Sequence, residues 1–414
     1  MAVHRTLFCC VLIFLCLNER CVCEARGPVG FQGHRYRPFS PSNSHQHIPQ
    51  DEESRVRSLS FAGDEDGEGL NVPVKELGPG SFCVTVGFGT PRQDLNLFLD
   101  TGSDISWIKQ CQSCSQSNCH NSQTSIFDTS ASSTFSNPCS NSSAKNCHYS
   151  IKYNDGSSSD GLWVRDNLTF TSSFAYANFV FGCSVNSSGD FDGADGLLGI
   201  GPGRNSLLGQ AGNYYGLFCY CLPSSKSSTG YIMFGVLAIN TCNLDIENFI
   251  PLLENPNGGP PHYSVNLVGI TIGQKRLDIE AYMGSSLNIR VDTGTTITRL
   301  PGSFHEALKS EFKELMSGYS QTSPLPPLLD TCYDLTGHNN VTVPKMVLHF
   351  EGSNDVELDS SAVLWRENES QACLAFAGNE NDGDLNIIGG HQQRSLNVYY
   401  DVRGKKLAFR KGGC

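Results

Sequence analysis

Two Asp-Thr-Gly triplets, Asp100-Thr101-Gly102 and Asp292-Thr293-Gly294, stand 192 residues apart in a chain of 414. Each is entered through an apolar run suited to a strand (Leu97 to Leu99; Leu287, Ile289 and Val291) and followed by a hydroxyl residue, Ser103 or Thr295. One such triplet is a weak signal, but here the match runs on: Ile105 answers Ile297, Ser106 answers Thr298 and Ile108 answers Leu300. A second matched element follows, Leu197-Leu198-Gly199 lying 99 residues after Asp100 and Ile387-Ile388-Gly389 lying 97 after Asp292. The repetition predicts an internal duplication, with two similar lobes each supplying one carboxylate to a shared site.

Two carboxyl groups brought together cannot both carry full charge, so one proton is expected to be shared between Asp100 and Asp292. The ionised member can then take a proton from a bound water while the protonated member hydrogen-bonds a substrate carbonyl. Gly102 and Gly294 let the two backbones approach without a Cβ in the way, and Ser103 and Thr295 offer hydroxyls to orient the carboxylates.

The elements that must hold these turns read as strands. Beyond Val72, short runs of Val, Ile, Phe, Tyr and Thr alternate with clusters of Gly, Asn, Ser and Pro, the punctuation of an all-β protein. The clearest helical pattern is Gly302 to Ser317, with Phe304, Leu308, Phe312 and Leu315 at helical spacing and a core-packing role. The turn-rich stretch 255–261 marks the boundary between lobes. Ahead of the lobes, the apolar run Leu7 to Leu17 is too short to span a bilayer and reads as a signal peptide, residues 1–23. Residues 24–76 read as a pro-segment, with a flexible tail as the alternative, leaving 77–255 and 256–414 as the N-terminal and C-terminal lobes.

Eighteen cysteines in an exported chain point to disulfides. Five leave with the signal peptide and thirteen remain, so at least one is unpaired or bonds outside the chain, Cys414 being one candidate. Cys111, Cys114, Cys119 and His120 have a spacing zinc could use, but the oxidising context favours disulfides, and neither metal nor cofactor is expected. Asn141, Asn167, Asn186, Asn340 and Asn368 head glycosylation sequons. The net charge of −12 without a Lys/Arg cluster argues against a nucleic-acid partner.

Taken with Val86-Gly-Phe-Gly-Thr-Pro91, Phe127-Asp-Thr-Ser-Ala-Ser-Ser-Thr-Phe135, Phe181-Gly-Cys183, Gly196-Leu-Leu-Gly-Ile-Gly201, Tyr220-Cys-Leu222, Cys332-Tyr-Asp-Leu335 and Cys373-Leu-Ala-Phe376, the triplets resemble the pepsin-like aspartic endopeptidases, most closely the plant nepenthesin-like branch. The resemblance covers roughly Val72 to Arg410 and implies an all-β, bilobal fold with a central cleft. By that similarity Asp100 and Asp292 form the catalytic dyad, and Thr101 and Thr293 cross-link the two loops. Tyr149 to Ser157 resembles the hairpin that covers the substrate, with Tyr153 as its covering tyrosine, Asp155, Gly156 and Ser157 in its turn, and Trp107 donating its indole N–H to Tyr153. The same similarity pairs Cys332 with Cys373 in a disulfide. It marks three departures: Asn154 for the glycine usual after that tyrosine, Gly390 for a common asparagine, and Cys83 for an aromatic.

The resemblance implies a monomeric endopeptidase acting in acid on protein or peptide substrates, favouring apolar residues at the cut, exported to the apoplast or cell wall with the vacuole as the alternative. No membrane attachment is expected once the signal is removed. The competing expectation is a non-catalytic relative that binds a protein through the same scaffold. A serine or cysteine hydrolase has little behind it, since the chain lacks a Gly-x-Ser-x-Gly elbow.

Overall fold

The computed structural model describes residues 70–414 apart from 115–124, 139–146, 172–173, 212–215, 236, 243–247, 255–261, 339 and 353. The expected signal peptide, the pro-segment as far as residue 69, the boundary at 255–261, Cys119, His120 and Asn141 lie outside the described residues.

Period-two burial builds the strands that matter for the site. In Gln93–Asp100 the side chains of Leu95, Leu97 and Leu99 are buried, and in Leu287–Val291 those of Leu287, Ile289 and Val291. Asp100 closes the first of these strands and Asp292 follows directly on the second. Each strand pairs in parallel with its matched repeat. Leu99 lies opposite Leu198 and Asp100 opposite Gly199, while Val291 lies opposite Ile388. The duplication read in the sequence is therefore a pair of equivalent strand arrangements, one in a thirteen-stranded sheet and one in an eight-stranded sheet.

The thirteen-stranded sheet takes strands from both halves of the chain. Leu396–Asp401 and Lys406–Lys411, near the C-terminus, pair with each other, and Leu396–Asp401 also pairs with Leu217–Cys221. Next come Gly230–Phe234, Asn71–Glu76 and Phe82–Phe88, leading to the strand that ends at Asp100. The last two strands of the C-terminal half thus form a platform with the N-terminal half, and the apolar core is continuous through it: Phe218 stacks on Tyr400 at 4.5 Å, and Tyr263 packs on the same ring.

Asn71–Glu76 precedes the lobe boundary expected at residue 77, yet it is a full member of this sheet, with Val72 and Val74 buried. The low-periodicity composition ahead of it masked a four-residue alternation too short to stand out. Glu76 also forms a buried, two-pronged ion pair with Arg394 and accepts the Gly80 N–H at 2.8 Å.

The expected helix spans Gly302–Leu315, and Phe304, Leu308 and Phe312 are buried on its inner face. Leu315 differs from the expectation: it is 43% exposed, and Met316, just past the helix, is buried instead. The chain turns out of helical geometry at Met316, which rotates that side chain rather than Leu315 into the core.

Disulfides join Cys111 to Cys183, Cys219 to Cys242, Cys221 to Cys414 and Cys332 to Cys373, and Cys114 and Cys147 are disulfide-bonded as well. Cys111 and Cys114 are therefore not zinc-binding thiolates. Cys414 is bonded within its own chain, and the unpaired cysteine among the described residues is Cys83, which is buried.

Candidate active site

The two Asp-Thr-Gly turns meet head to head. Thr101 donates its backbone N–H to the Thr293 hydroxyl at 3.1 Å and its own hydroxyl to the Val291 carbonyl at 3.3 Å. Thr293 reciprocates, N–H to the Thr101 hydroxyl at 3.0 Å and hydroxyl to the Leu99 carbonyl at 2.7 Å. Both threonines are buried, so these four bonds leave no donor unsatisfied at the junction and fix one turn against the other.

Within each turn the carboxylate is held twice. Asp100 accepts the Gly102 N–H at 2.7 Å on one oxygen and the Ser103 hydroxyl at 2.5 Å on the other. Asp292 accepts the Gly294 N–H at 2.8 Å and the Thr295 hydroxyl at 2.9 Å. The glycines are a steric necessity. A Cβ on Gly102 would fall 2.5 Å from the Asp292 carboxyl carbon, and one on Gly294 would fall 2.4 Å from an Asp100 oxygen. Each glycine thus lies directly against the aspartate of the opposite lobe.

Such proximity sets the electrostatics. Burial first, then the Asp292 charge, push the Asp100 carboxyl up to about 8, and a hydrogen bond with the Asp292 side chain acts in the same sense. The Ser103 hydroxyl and Gly102 N–H pull against them without prevailing. A proton taken up here belongs to the pair.

Strands His148–Lys152 and Ser158–Thr171 form a hairpin joined through Tyr153 to Ser157. Tyr153 accepts the Trp107 indole N–H at 2.8 Å. Asp155 accepts both the N–H and the hydroxyl of Ser157, tightening the turn, and Gly156 supplies its left-handed residue at φ 87° with open space around it. Trp107 is fully buried and meets Phe191 edge-on at 5.1 Å, so the tyrosine is anchored to a rigid aromatic wall. Among the described residues no group of His, Cys, Asp and Glu is arranged to hold a metal ion.

The sequence reading missed three supporting features. Asp104 is buried beneath the first turn, where it accepts the Gly203 N–H at 2.8 Å. Gln393 donates to the carbonyls of Asp292 and Ile388 and accepts the Tyr220 hydroxyl. Gln392 accepts both the N–H and the hydroxyl of Thr298. The repeat itself held a clue to the last: Ser106 accepts the Gly199 N–H at 3.0 Å and Thr298 accepts the Gly389 N–H at 3.0 Å, so the matched hydroxyls do the same work in both lobes.

Comparison with known proteins gives the chain's family and fold. Residues 82–236 match the family model described as xylanase inhibitor N-terminal, and residues 262–411 match the one described as xylanase inhibitor C-terminal. Aspartyl protease AED1 of Arabidopsis thaliana is 40% identical over 89% of this chain and 82% of its own. Aspartic proteinase nepenthesin-1 of Nepenthes gracilis is 32% identical over 81% of this chain and 79% of its own. Among solved structures, basic 7S globulin from soybean superimposes with a TM-score of 0.65 at 17% identity, covering 83% of this chain and 96% of that one, which is a likeness of fold. The chain belongs to the pepsin-like aspartic protease family. By that membership it is an aspartic-type peptidase, with proteins or peptides as its substrates.

Proposed function

We propose that the chain is an endopeptidase that cuts internal peptide bonds in acid, with Asp100 and Asp292 as its catalytic residues. The observation that carries this reading is the contact of Gly102 and Gly294 with the opposite carboxyl groups, which brings both acids to one point between the lobes. One proton is shared by the pair. The ionised carboxylate removes a proton from a water, the resulting hydroxide adds to the substrate carbonyl, and the protonated carboxyl donates to the oxygen that gains charge. No acyl-enzyme forms. Thr101 and Thr293 keep the acids in register, Gly102, Ser103, Gly294 and Thr295 orient them, and Tyr153 with Trp107, Asp155, Gly156 and Ser157 closes over an extended substrate. Apolar residues flank the cut bond, as the family resemblance implies.

Burial and the Asp292 charge raise the ionisation of Asp100, so the state with one proton on the pair is present throughout the acid range. The protein enters the secretory route, loses its leader and pro-segment upstream of Asn71, and works as an extracellular monomer. Asn186, Asn340 and Asn368 are exposed and accessible to glycans, while the Asn167 amide donates to the Thr90 hydroxyl at 3.1 Å. Among the described residues no helix is long and apolar enough to cross a membrane.

Digestion of casein or haemoglobin by the matured protein tests the reading. Cleavage in acid, blocked by pepstatin and reduced at least about a thousandfold in Asp100→Ala and in Asp292→Ala, is expected. Folded protein that cuts neither substrate after acid maturation would leave the binding-only alternative standing.

A further inference from the structure

One buried acid near the pair has no part in the chemistry above. Asp104 lies four residues after Asp100, and the loop Ile200 to Gly203 is folded around its carboxyl group. A Cβ on Gly201 would fall 2.4 Å from one carboxyl oxygen and a Cβ on Gly203 would fall 2.0 Å from the other. The loop is in turn bonded to the first catalytic turn: Ile200 N–H to the Asp100 carbonyl at 2.9 Å, Gly201 N–H to the Ser103 carbonyl at 2.9 Å, and Gly203 N–H to Asp104 itself. Tyr263 donates its hydroxyl to the Ile200 carbonyl at 3.0 Å, closing the far side.

We propose that Asp104 is a positioning residue for the Asp100 turn, and that a negative charge gained there, enclosed beneath the loop, loosens the turn and sets the upper pH limit of activity. The inference rests on Asp100 and Asp292 being the acid–base pair.

The charge balance around the group decides the direction. Burial pushes the Asp104 carboxyl up to about 6, against the pull of the Gly203 N–H and of Arg290, the cation on strand Leu287–Val291 that acts on it across the lobes. Tyr263, in front of strand Ser264–Ile272, is itself held neutral by burial and spends its hydroxyl on Ile200. A carboxyl whose proton is held more tightly in the folded state contributes stability that is complete below its unfolded value near 4 and lost as pH rises through 6. The ionisation of Asp100 is itself raised, by burial and by the Asp292 charge, so the pair keeps its shared proton as Asp104 gains its charge. The equivalent position in the second lobe is Thr296, and the loop there, Gly389 to Arg394, contains His391, which burial keeps uncharged above about 3. That loop keeps one charge state across the whole range.

Two measurements on the matured enzyme test this. The first follows kcat and KM on a peptide substrate from pH 3 to 8 in the wild type and in Asp104→Asn, which keeps an oxygen for the Gly203 N–H and cannot ionise. The variant is expected to retain kcat at pH 4 within about twofold and to move the neutral limb upward by about one pH unit in kcat, with KM little changed. The second needs no variant: hydrogen exchange of the wild type, corrected for the intrinsic rate, should rise in residues 199–204 between pH 5 and 7 and stay level in residues 389–394. A limb that does not move, a kcat loss equal at every pH, or exchange that rises in both loops alike overturns the proposal. A wild type with no pepstatin-sensitive activity defeats the dyad reading instead, and the exchange data still decide whether Asp104 loosens its loop.

Discussion

The two Asp-Thr-Gly turns are near copies in how they meet each other and differ in what lies behind them. In front, each aspartate takes one N–H and one hydroxyl, each threonine grips the opposite lobe, and each glycine touches the opposing acid. Behind, the first turn rests on a carboxyl group, Asp104, and the second on two carboxamides, Gln392 and Gln393. A carboxamide offers donors and an acceptor at every pH, whereas a carboxyl changes charge. The lesson is that a duplicated geometry can rest on different chemistry in its two halves, an ionisable group behind one turn and neutral amides behind the other.

Four substitutions probe this contrast between the lobes. The largest effect is expected at the shared grip, where Thr101→Val and Thr293→Val each remove two buried bonds and strand their partners. Each should lower stability by about 2–4 kcal/mol and by similar amounts, read from denaturant midpoints at pH 4. A marked inequality between them would show that the lobes do not bear on each other equally. Next comes Gln393→Met, which fills the space but leaves the Asp292 and Ile388 carbonyls and the Tyr220 hydroxyl without this partner. A loss of about 2 kcal/mol, constant from pH 4 to 7, is expected, in contrast with the pH-dependent behaviour at Asp104. A pH-dependent loss at Gln393 would erase the distinction. The smallest effect belongs to Tyr153→Phe, which deprives the buried Trp107 indole of its acceptor. About 1 kcal/mol of local stability and a rise in KM exceeding any fall in kcat are expected from steady-state kinetics. An unchanged KM would detach the hairpin tyrosine from substrate binding.

How much of this was legible in the sequence depended on distance along the chain. Both turns and the strands that enter them are local patterns, alternating Leu95, Leu97 and Leu99 and a Thr-Gly turn, whereas the tyrosine hairpin was legible through family resemblance, its Asp-Gly-Ser bend capping its own backbone. The helix at Gly302–Leu315 was legible for the same reason, and its end at Leu315 was not, because a one-residue change of backbone angle decides which apolar side chain turns inward. Contacts that join remote segments left no local mark. Glu76 reads as one acid in a polar stretch until Arg394, 318 residues later, is placed beside it. Asp104 reads as part of the motif after Asp100, and only the folding of residues 200–203 around it reveals a buried carboxyl. Likewise Leu217–Cys221 pairs with Leu396–Asp401, a segment far along the chain, and periodicity within either strand carries no information about its partner.

The bond between Cys221 and Cys414 ties the stretch beyond the last strand to strand Leu217–Cys221. A protease that nicked the polypeptide once between residues 242 and 262 would therefore release nothing. The product would be two polypeptides held by this covalent staple and by the paired strands of the platform, migrating as a single species until a reductant was added.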